Sequence, residues 1–184
     1  MSKRYTSVVV RCEDLQQRVF LYRYLIDKGI GHREIQIQHC PAGRGDAKHW
    51  VRQQHVIEVR ALRGKPHLSI ALISMLDADD RSVADRKQEL DGSLAASGQE
   101  QRQASERIAV LVPRRNIETW IHRLRGNAVN ESDSYPRYRG EESRCREAVC
   151  EFVRRCPAHM VADDPPSLRD GCEELTRLLS RRNV

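Results

Sequence analysis

Short apolar runs alternate with longer stretches of helical periodicity along this chain. Strands are predicted at residues 6–11, 34–38, 70–80 and 107–112, where β-branched or apolar residues cluster or alternate with polar ones. Helices are predicted at residues 15–28, 47–62 and 116–125 from their amphipathic spacing, and at the polar, helix-prone stretch 81–96. This order predicts an α/β fold with a mainly parallel sheet and helices on both faces.

The C-terminal part of the chain has a different pattern. Residues 127–140 have no periodicity and are predicted to form a loop, and two final helices are predicted at residues 141–155 and 167–182. Periodicity does not decide whether their apolar faces cover the sheet or form an oligomer contact. We expect an α/β domain at residues 1–126, and a loop and helical extension at residues 127–184 that packs on the same domain.

The run at residues 70–80 leads to the prediction of function. Its first seven residues are apolar apart from Ser74, as in a central strand buried on both faces, and it ends in Asp77, Asp79 and Asp80. Acids this close repel one another, and a divalent cation held by oxygen ligands commonly neutralises them. An Asp-rich turn accounts for the same residues without a metal, because Asp favours turns for backbone reasons.

Acidic residues also occur at two other junctions between a predicted strand and the helix after it. Glu13 and Asp14 follow the first strand, and Glu118 opens the helix after the fourth. Such junctions share one edge of a parallel sheet, where open α/β sheets bind ligands, so we expect these acids to meet Asp77. Stabilisation of helix N-termini explains each acid separately, but it does not explain three acids after the third strand.

Composition favours a polyanionic partner. The 184 residues include 32 Lys and Arg against 26 Asp and Glu, which gives a net charge of +6 and suits nucleic acid. The sequence has no apolar run of the ~20 residues that a membrane crossing requires, and the basic start lacks the apolar stretch of a signal peptide. We therefore expect a cytoplasmic protein whose six cysteines stay reduced.

Basic side chains near the predicted acidic edge are candidates for binding substrate phosphate. They are Arg44, Lys48, Arg114 and Arg115. The loop at residues 127–140 interleaves aromatic and basic groups that can stack bases and bind phosphates, namely Tyr135, Arg137, Tyr138 and Arg139. Ordinary solvated basic loops would have the same composition.

Two motifs resemble the Toprim domain, which occurs in topoisomerases, primases, small ribonucleases and the overcoming-lysogenisation-defect nucleases. They are Val-Val-Val-Arg-Cys-Glu13-Asp14 and Met-Leu-Asp77-Ala-Asp79-Asp80. The segment Pro-Arg-Arg-Asn-Ile-Glu118-Thr-Trp is similar to one in small stand-alone bacterial Toprim-like proteins, some of them associated with phage defence. The resemblance covers about residues 6–126. It departs from the usual pattern at Asp14, where Toprim domains have Gly, and this departure bears on the role of Glu13.

The resemblance implies a Rossmann-like sheet and metal-dependent cleavage of phosphodiester bonds in DNA or RNA. Asp77 and Asp79 would hold Mg²⁺ or Mn²⁺, with Asp80 or Glu118 as a further ligand, and Glu13 would be a ligand or general acid/base. Hard oxygen ligands without clustered His favour these ions over zinc. The expected setting is a homo-oligomer or the effector subunit of a bacterial phage-defence complex with a partner protein such as an ATPase or sensor.

Two other functions fit the same pattern. A phospho-receiver-like signalling module also has acids after its first and third strands, but it would need a Lys after a fifth strand, which the sequence does not predict. A non-catalytic Toprim-fold protein that binds nucleic acid or serves as a scaffold would keep the fold without the activity. The Asp14 departure keeps this second alternative open.

Overall fold

The fold is built on a four-stranded parallel sheet, seen in a computed structural model that describes residues 7–180. The strands are β1 (Ser7–Cys12), β2 (Ile35–His39), β3 (Ile70–Met75) and β4 (Ile108–Leu111), in the order β2-β1-β3-β4. All three neighbouring pairs are parallel. The predicted Rossmann-like α/β fold, with helices on both faces and further helices at the C-terminus, is confirmed.

Within residues 7–180, six α-helices surround the sheet. They are α1 (Leu15–Asp27), α2 (Ala47–Arg63), α3 (Val83–Ala96), α4 (Ile117–Leu124), α5 (Arg146–Arg155) and α6 (Pro166–Ser180). Short 3₁₀ turns occupy His32–Glu34 and Glu142–Cys145, so the helix predicted at residues 141–155 begins with a tighter turn. Residue 6 of the first predicted strand and residues 181–182 of the last predicted helix lie outside the described residues.

Strand β3 is buried on both faces, as its apolar run predicts. One face packs in a core with α1, α4, α5 and α6. The other face packs against α2 and α3, where the hydroxyl of Ser74 lies 2.8 Å from Nδ1 of the buried His55. Because the strand has no solvent face, polar side chains can reach solvent only at its two ends, and the acids of this segment follow its carboxyl end.

The C-terminal helices pack on the sheet domain. Phe152 of α5 makes ring contacts with Phe20 and Tyr24 of α1, at centroid distances of 5.8 and 5.3 Å. Helix α6 covers the outer edge of β4, where Oε2 of Glu174 accepts a hydrogen bond from the backbone N–H of Val110 at 3.3 Å. Side chains that bond an edge strand in this way leave it less able to pair with another chain.

One sequence-based expectation is wrong. The sequence predicts six reduced cysteines, but Cys156 and Cys172 form a disulfide. The packing of α6 beside the end of α5 brings the two Cα atoms of the disulfide to 5.7 Å, a proximity that sequence spacing does not reveal.

Within residues 7–180, no helix combines the length and the apolar character that crossing a membrane requires.

Candidate functional site

Glu13 and Asp77 meet at the carboxyl edge of the sheet. Strands β1 and β3 are adjacent, with Cys12 opposite Met75, so the residues that follow each strand emerge side by side. Oε1 of Glu13 accepts a hydrogen bond from the backbone N–H of Asp77 at 2.5 Å. Both side chains are buried. The structure thus joins the acids of two junctions that the sequence analysis expected to share this edge.

Gln17, which the sequence analysis missed, bridges these two residues. Its Nε2 donates to Oδ1 of Asp77 at 2.9 Å, and its Oε1 accepts from the backbone N–H of Glu13 at 2.9 Å. A signal was available, because Gln17 lies three and four residues before Phe20 and Leu21, on the buried face of α1. A polar side chain on that face needs polar partners, and here they are the two functional candidates.

Asp14 caps α1 and thereby gives a structural role to the departure from the Toprim pattern. Its backbone is extended, and Oδ1 accepts from the backbone N–H of Gln17 at 2.9 Å. This cap fixes the first turn of the helix and with it the position of Gln17.

Lys48 is the counter-ion of the acidic site. Its ammonium lies 3.1 Å from Oε2 of Glu13 and 2.6 Å from Oδ2 of Asp79. Asp46 caps α2, so Lys48 lies in the first turn of a helix whose N-terminus faces this edge. The sequence predicts that Lys48 binds substrate phosphate, whereas in the structure its partners are two of the candidate carboxylates.

The turn that carries Asp79 has an unusual backbone. Asp79 and Arg115 have φ angles of 52° and 66°, in the left-handed region that non-glycine residues rarely adopt. The two residues pair in an isolated bridge, with the N–H of Asp79 donating to the carbonyl of Arg115 at 3.2 Å. Nη1 of Arg114 donates to the carbonyl of Asp79 at 3.3 Å. Strained residues of this kind cluster at functional sites.

The buried acids have perturbed proton affinities. Burial, and then the charges of Glu13 and Asp14, raise the pKa of Asp77 well above its ordinary value. Burial also raises the pKa of Glu13, although Lys48 opposes this shift. For Lys48, burial acts to lower the pKa, but the charges and hydrogen bonds of Glu13 and Asp79 outweigh it and raise that pKa. The site therefore favours a shared proton or a bound cation over three free charges.

Glu118 lies in a separate cavity beside this cluster. It is only 1% exposed, and neither of its carboxylate oxygens has a hydrogen-bond partner on another described residue. Burial, followed by the charge of Asp14, raises the pKa of Glu118 to about 7. Its own charge acts on Asp77, so the cavity and the acidic cluster are electrostatic neighbours.

The other predicted site residues are placed less centrally. Asp80 has an 87% exposed side chain that pairs with Arg115, and Nε of Arg115 donates to the carbonyl of Ser132 at 2.7 Å. Arg44 is exposed in the loop before α2. Arg115 thus holds the turn and the 127–140 loop together, while Arg44 remains a candidate for binding phosphate.

The aromatic residues of the 127–140 loop pack on α4. The ring centroids of Tyr135 and Tyr138 lie 5.1 and 5.7 Å from that of His122. Arg125 stacks over Tyr138 at 5.1 Å. Base stacking on these rings, which the sequence suggested, would therefore compete with contacts inside the protein.

The ammonium of Lys48 lies between two carboxylates that could bind a metal ion. Among residues 7–180, no three His, Cys, Asp or Glu side chains are already arranged as a metal-ligand group. The oxygens of Glu13 and Asp79 nevertheless hold one cation between them, the ammonium of Lys48. Carboxylate oxygens are the donors that Mg²⁺ and Mn²⁺ prefer. The residues fit a divalent ion on the condition that Lys48 moves aside.

Comparisons of this chain with family models, with curated proteins and with solved structures find no match.

Proposed function

We propose that this chain is a metal-dependent phosphodiesterase of Toprim type that cleaves nucleic acid, with Glu13, Asp77 and Asp79 as its catalytic carboxylates. The observation that supports this most strongly is that the buried Glu13 accepts a hydrogen bond from the backbone of the buried Asp77 and shares the ammonium of Lys48 with Asp79. Burial of two acids with raised pKa values is unfavourable for folding and is typical of functional sites.

Each residue of the cluster has a role in this proposal. A Mg²⁺ or Mn²⁺ ion held by Glu13, Asp77 and Asp79 would stabilise charge on the phosphate and activate water. Gln17 orients Asp77 through its amide and holds Glu13 through the backbone. As the alternative to binding the metal, Glu13 would accept and return a proton, a role that the burial-raised pKa of its carboxyl favours.

Cationic side chains would bind the substrate. Lys48 supplies one ammonium at the site and can exchange its carboxylate partners for a phosphate oxygen. Arg114 lies beside Asp79, and Arg44 extends from the loop before α2. The net charge of +6 supports a nucleic-acid substrate. Action in the cytoplasm, alone as a homo-oligomer or with a partner in phage defence, stays a prediction from the sequence.

A cleavage assay tests the proposal. Plasmid DNA, single-stranded DNA and structured RNA are incubated with the full chain in Mg²⁺, in Mn²⁺ or in chelator. The Asp77→Asn variant keeps an oxygen that can accept from Gln17, so it should fold normally. We expect it to cleave at least 10²-fold more slowly, by analogy with the loss of one charge-stabilising group from an active site. Asp163→Asn, which changes an exposed acid, is the matched control.

The outcomes separate the alternatives. Cutting that needs the metal, falls in Asp77→Asn and persists in Asp163→Asn supports the proposal. Cutting that survives chelator or the Asp77→Asn change would contradict it. A folded protein that binds nucleic acid but cuts no substrate with either metal would instead be the non-catalytic binding protein.

A further inference from the structure

We infer that the cavity beside Glu118 binds the Watson–Crick edge of a guanine in the nucleic-acid substrate. The inference rests on the proposed function, because it makes this cavity the base-recognition part of the same site. It names a specificity-determining residue, Glu118, which acts by contact with the base rather than as a metal ligand.

The buried carboxylate of Glu118 is a hydrogen-bond acceptor for which no other described residue supplies a donor. Glu118 is 1% exposed, and both of its oxygens lack hydrogen-bond partners on other described residues. A buried carboxylate normally has partners, because leaving it unsatisfied is strongly unfavourable. Glu118 lines a cavity of about 110 Å³, together with Asp14, Leu15, Gln16, Arg137, Tyr138, Arg139 and Glu142. The missing donors can therefore come from a ligand in that cavity.

The chemistry of the acceptor restricts the ligand. A carboxylate whose two oxygens both lack a donor from another described residue is best matched by two parallel N–H donors. Among the bases, guanine presents such a pair with its N1–H and its 2-amino group. Adenine and cytosine present one amino group beside an acceptor nitrogen, and uracil and thymine present one N–H between two carbonyls. The carboxylate would repel an acceptor in either position.

The lining of the cavity carries charges of both signs. Asp14 and Glu142 line it with Glu118, and so do Arg137 and Arg139. The two arginines offset two of the three acidic charges, so the lining does not concentrate negative charge as a divalent-ion site does. The same arginines attract the phosphates on either side of a base. A nucleotide whose neutral base edge donates to Glu118 and whose phosphates meet the arginines fits this lining.

The size and position of the cavity fit one base at the cleavage site. The cavity volume of about 110 Å³ is below the ~300–1,000 Å³ of sites that enclose a drug-sized ligand. A cavity of this size can hold the edge of one planar base but not a whole nucleotide. Asp14 lines the cavity, and its charge acts on both Glu118 and Asp77. A base held by Glu118 would therefore bring a neighbouring phosphate towards the catalytic carboxylates.

A binding assay tests the site without requiring catalysis. The affinities of the full chain for GMP, IMP, AMP, CMP and UMP are measured by calorimetry in the presence of chelator. We expect GMP to bind about 10- to 100-fold more tightly than AMP, CMP and UMP, the discrimination of a good bidentate contact. IMP, which lacks the 2-amino group, should lose most of that advantage.

Variants and oligonucleotides complete the design. Glu118→Gln should reduce the affinity for GMP to that for the other nucleotides, because one acceptor becomes a donor. Glu147→Gln removes an exposed carboxylate from α5 and should change nothing. Single-stranded DNA and RNA oligomers with one guanine separate recognition within a strand from binding of a free nucleotide. Cleavage next to that guanine, lost in Glu118→Gln, supports the site in its substrate context.

Two binding results would overturn the inference. One is equal or undetectable binding of all five nucleotides, and the other is a guanine preference in binding that Glu118→Gln retains. The wild-type comparison of GMP with IMP needs no variant, so misfolding of Glu118→Gln would not rescue the idea. A guanine preference in a protein that cuts no substrate supports this site and contradicts the nuclease. Cleavage without any guanine preference supports the nuclease and contradicts this site.

Discussion

Neutralising Glu118 should stabilise the protein, and the gain should depend on pH. Glu118 is buried without a hydrogen-bond partner on another described residue, and burial raises its pKa to about 7 from an ordinary 4.5. The folded state therefore holds the proton more tightly than the unfolded state. Linkage then requires the stability that this group contributes to fall as the pH rises from 4.5 to 7.

The magnitude follows from the two pKa values. The difference between about 7 and 4.5, at about 1.36 kcal/mol for each pH unit, corresponds to about 3 kcal/mol above pH 7. Glu118→Gln keeps the shape of the side chain and removes the charge. The unpartnered amide of the new side chain would reduce the gain by about 1 kcal/mol. We expect the variant to be more stable than the wild type by about 2–3 kcal/mol at pH 8.

Urea unfolding at a series of pH values measures this gain. The difference in free energy of unfolding between the variant and the wild type should be largest above pH 7 and should disappear, or become slightly negative, below pH 4.5. Most other titrating groups affect both proteins equally and cancel in the difference. Glu147→Gln, which changes an exposed carboxylate, should stay within about 0.5 kcal/mol of the wild type at each pH.

The reasoning would be refuted by a difference that does not change between pH 4.5 and pH 8. It would also be refuted by a variant less stable than the wild type at pH 8, because that result would mean a charged and well-paired Glu118. A positive result would show that the fold tolerates an unfavourable carboxylate at this position. Such a stability loss is a common consequence of selection for function.

Two further predictions concern the packing of α6. Gly171→Ala should destabilise the protein by about 1–3 kcal/mol, because the added Cβ would clash with Cη2 of the buried Trp120. The control is Gly92→Ala in α3, where no atom lies within 4 Å of the added Cβ, and it should be neutral or stabilising by up to about 1 kcal/mol. Thermal unfolding of the two variants and the wild type measures the difference. Burial acts to raise the pKa of Glu174, but hydrogen bonds and charges such as those of Arg102 outweigh it and lower that pKa to about 2. Glu174→Gln should therefore lower the free energy of unfolding by about 2–3 kcal/mol at neutral pH. That difference should persist above pH 4.5 and be lost as the pH falls towards 2, and a pH-independent loss would contradict the assignment.

The pattern of the chain was enough to predict the layers of the fold. The apolar run of β3 has no polar alternation, so it had to be buried on both faces with helices covering it. Alternation of parallel strands and helices then brings the strand-to-helix junctions to one edge. These local rules place Glu13 and Asp77 at the same edge, and their contact requires in addition that β1 and β3 are neighbours in the sheet.

The tertiary structure decided the partners of those residues. Which strand lies next to β1, and how α2 packs across it, depends on long-range packing rather than on local periodicity. Only that packing shows that Lys48 holds Glu13 and Asp79. It alone shows that Gln17 joins the two junctions.

The same limit applies to Glu118 and to the cysteines. The sequence placed Glu118 at a helix N-terminus, but the loss of its hydrogen-bond partners depends on how α1 and the 127–140 loop enclose it. The Cys156–Cys172 disulfide requires α6 to return beside the end of α5. Local pattern thus determined which elements form and where the acids emerge. The pairing, burial and charge state of each acid arise from contacts between residues far apart in the sequence, which only the folded chain brings together.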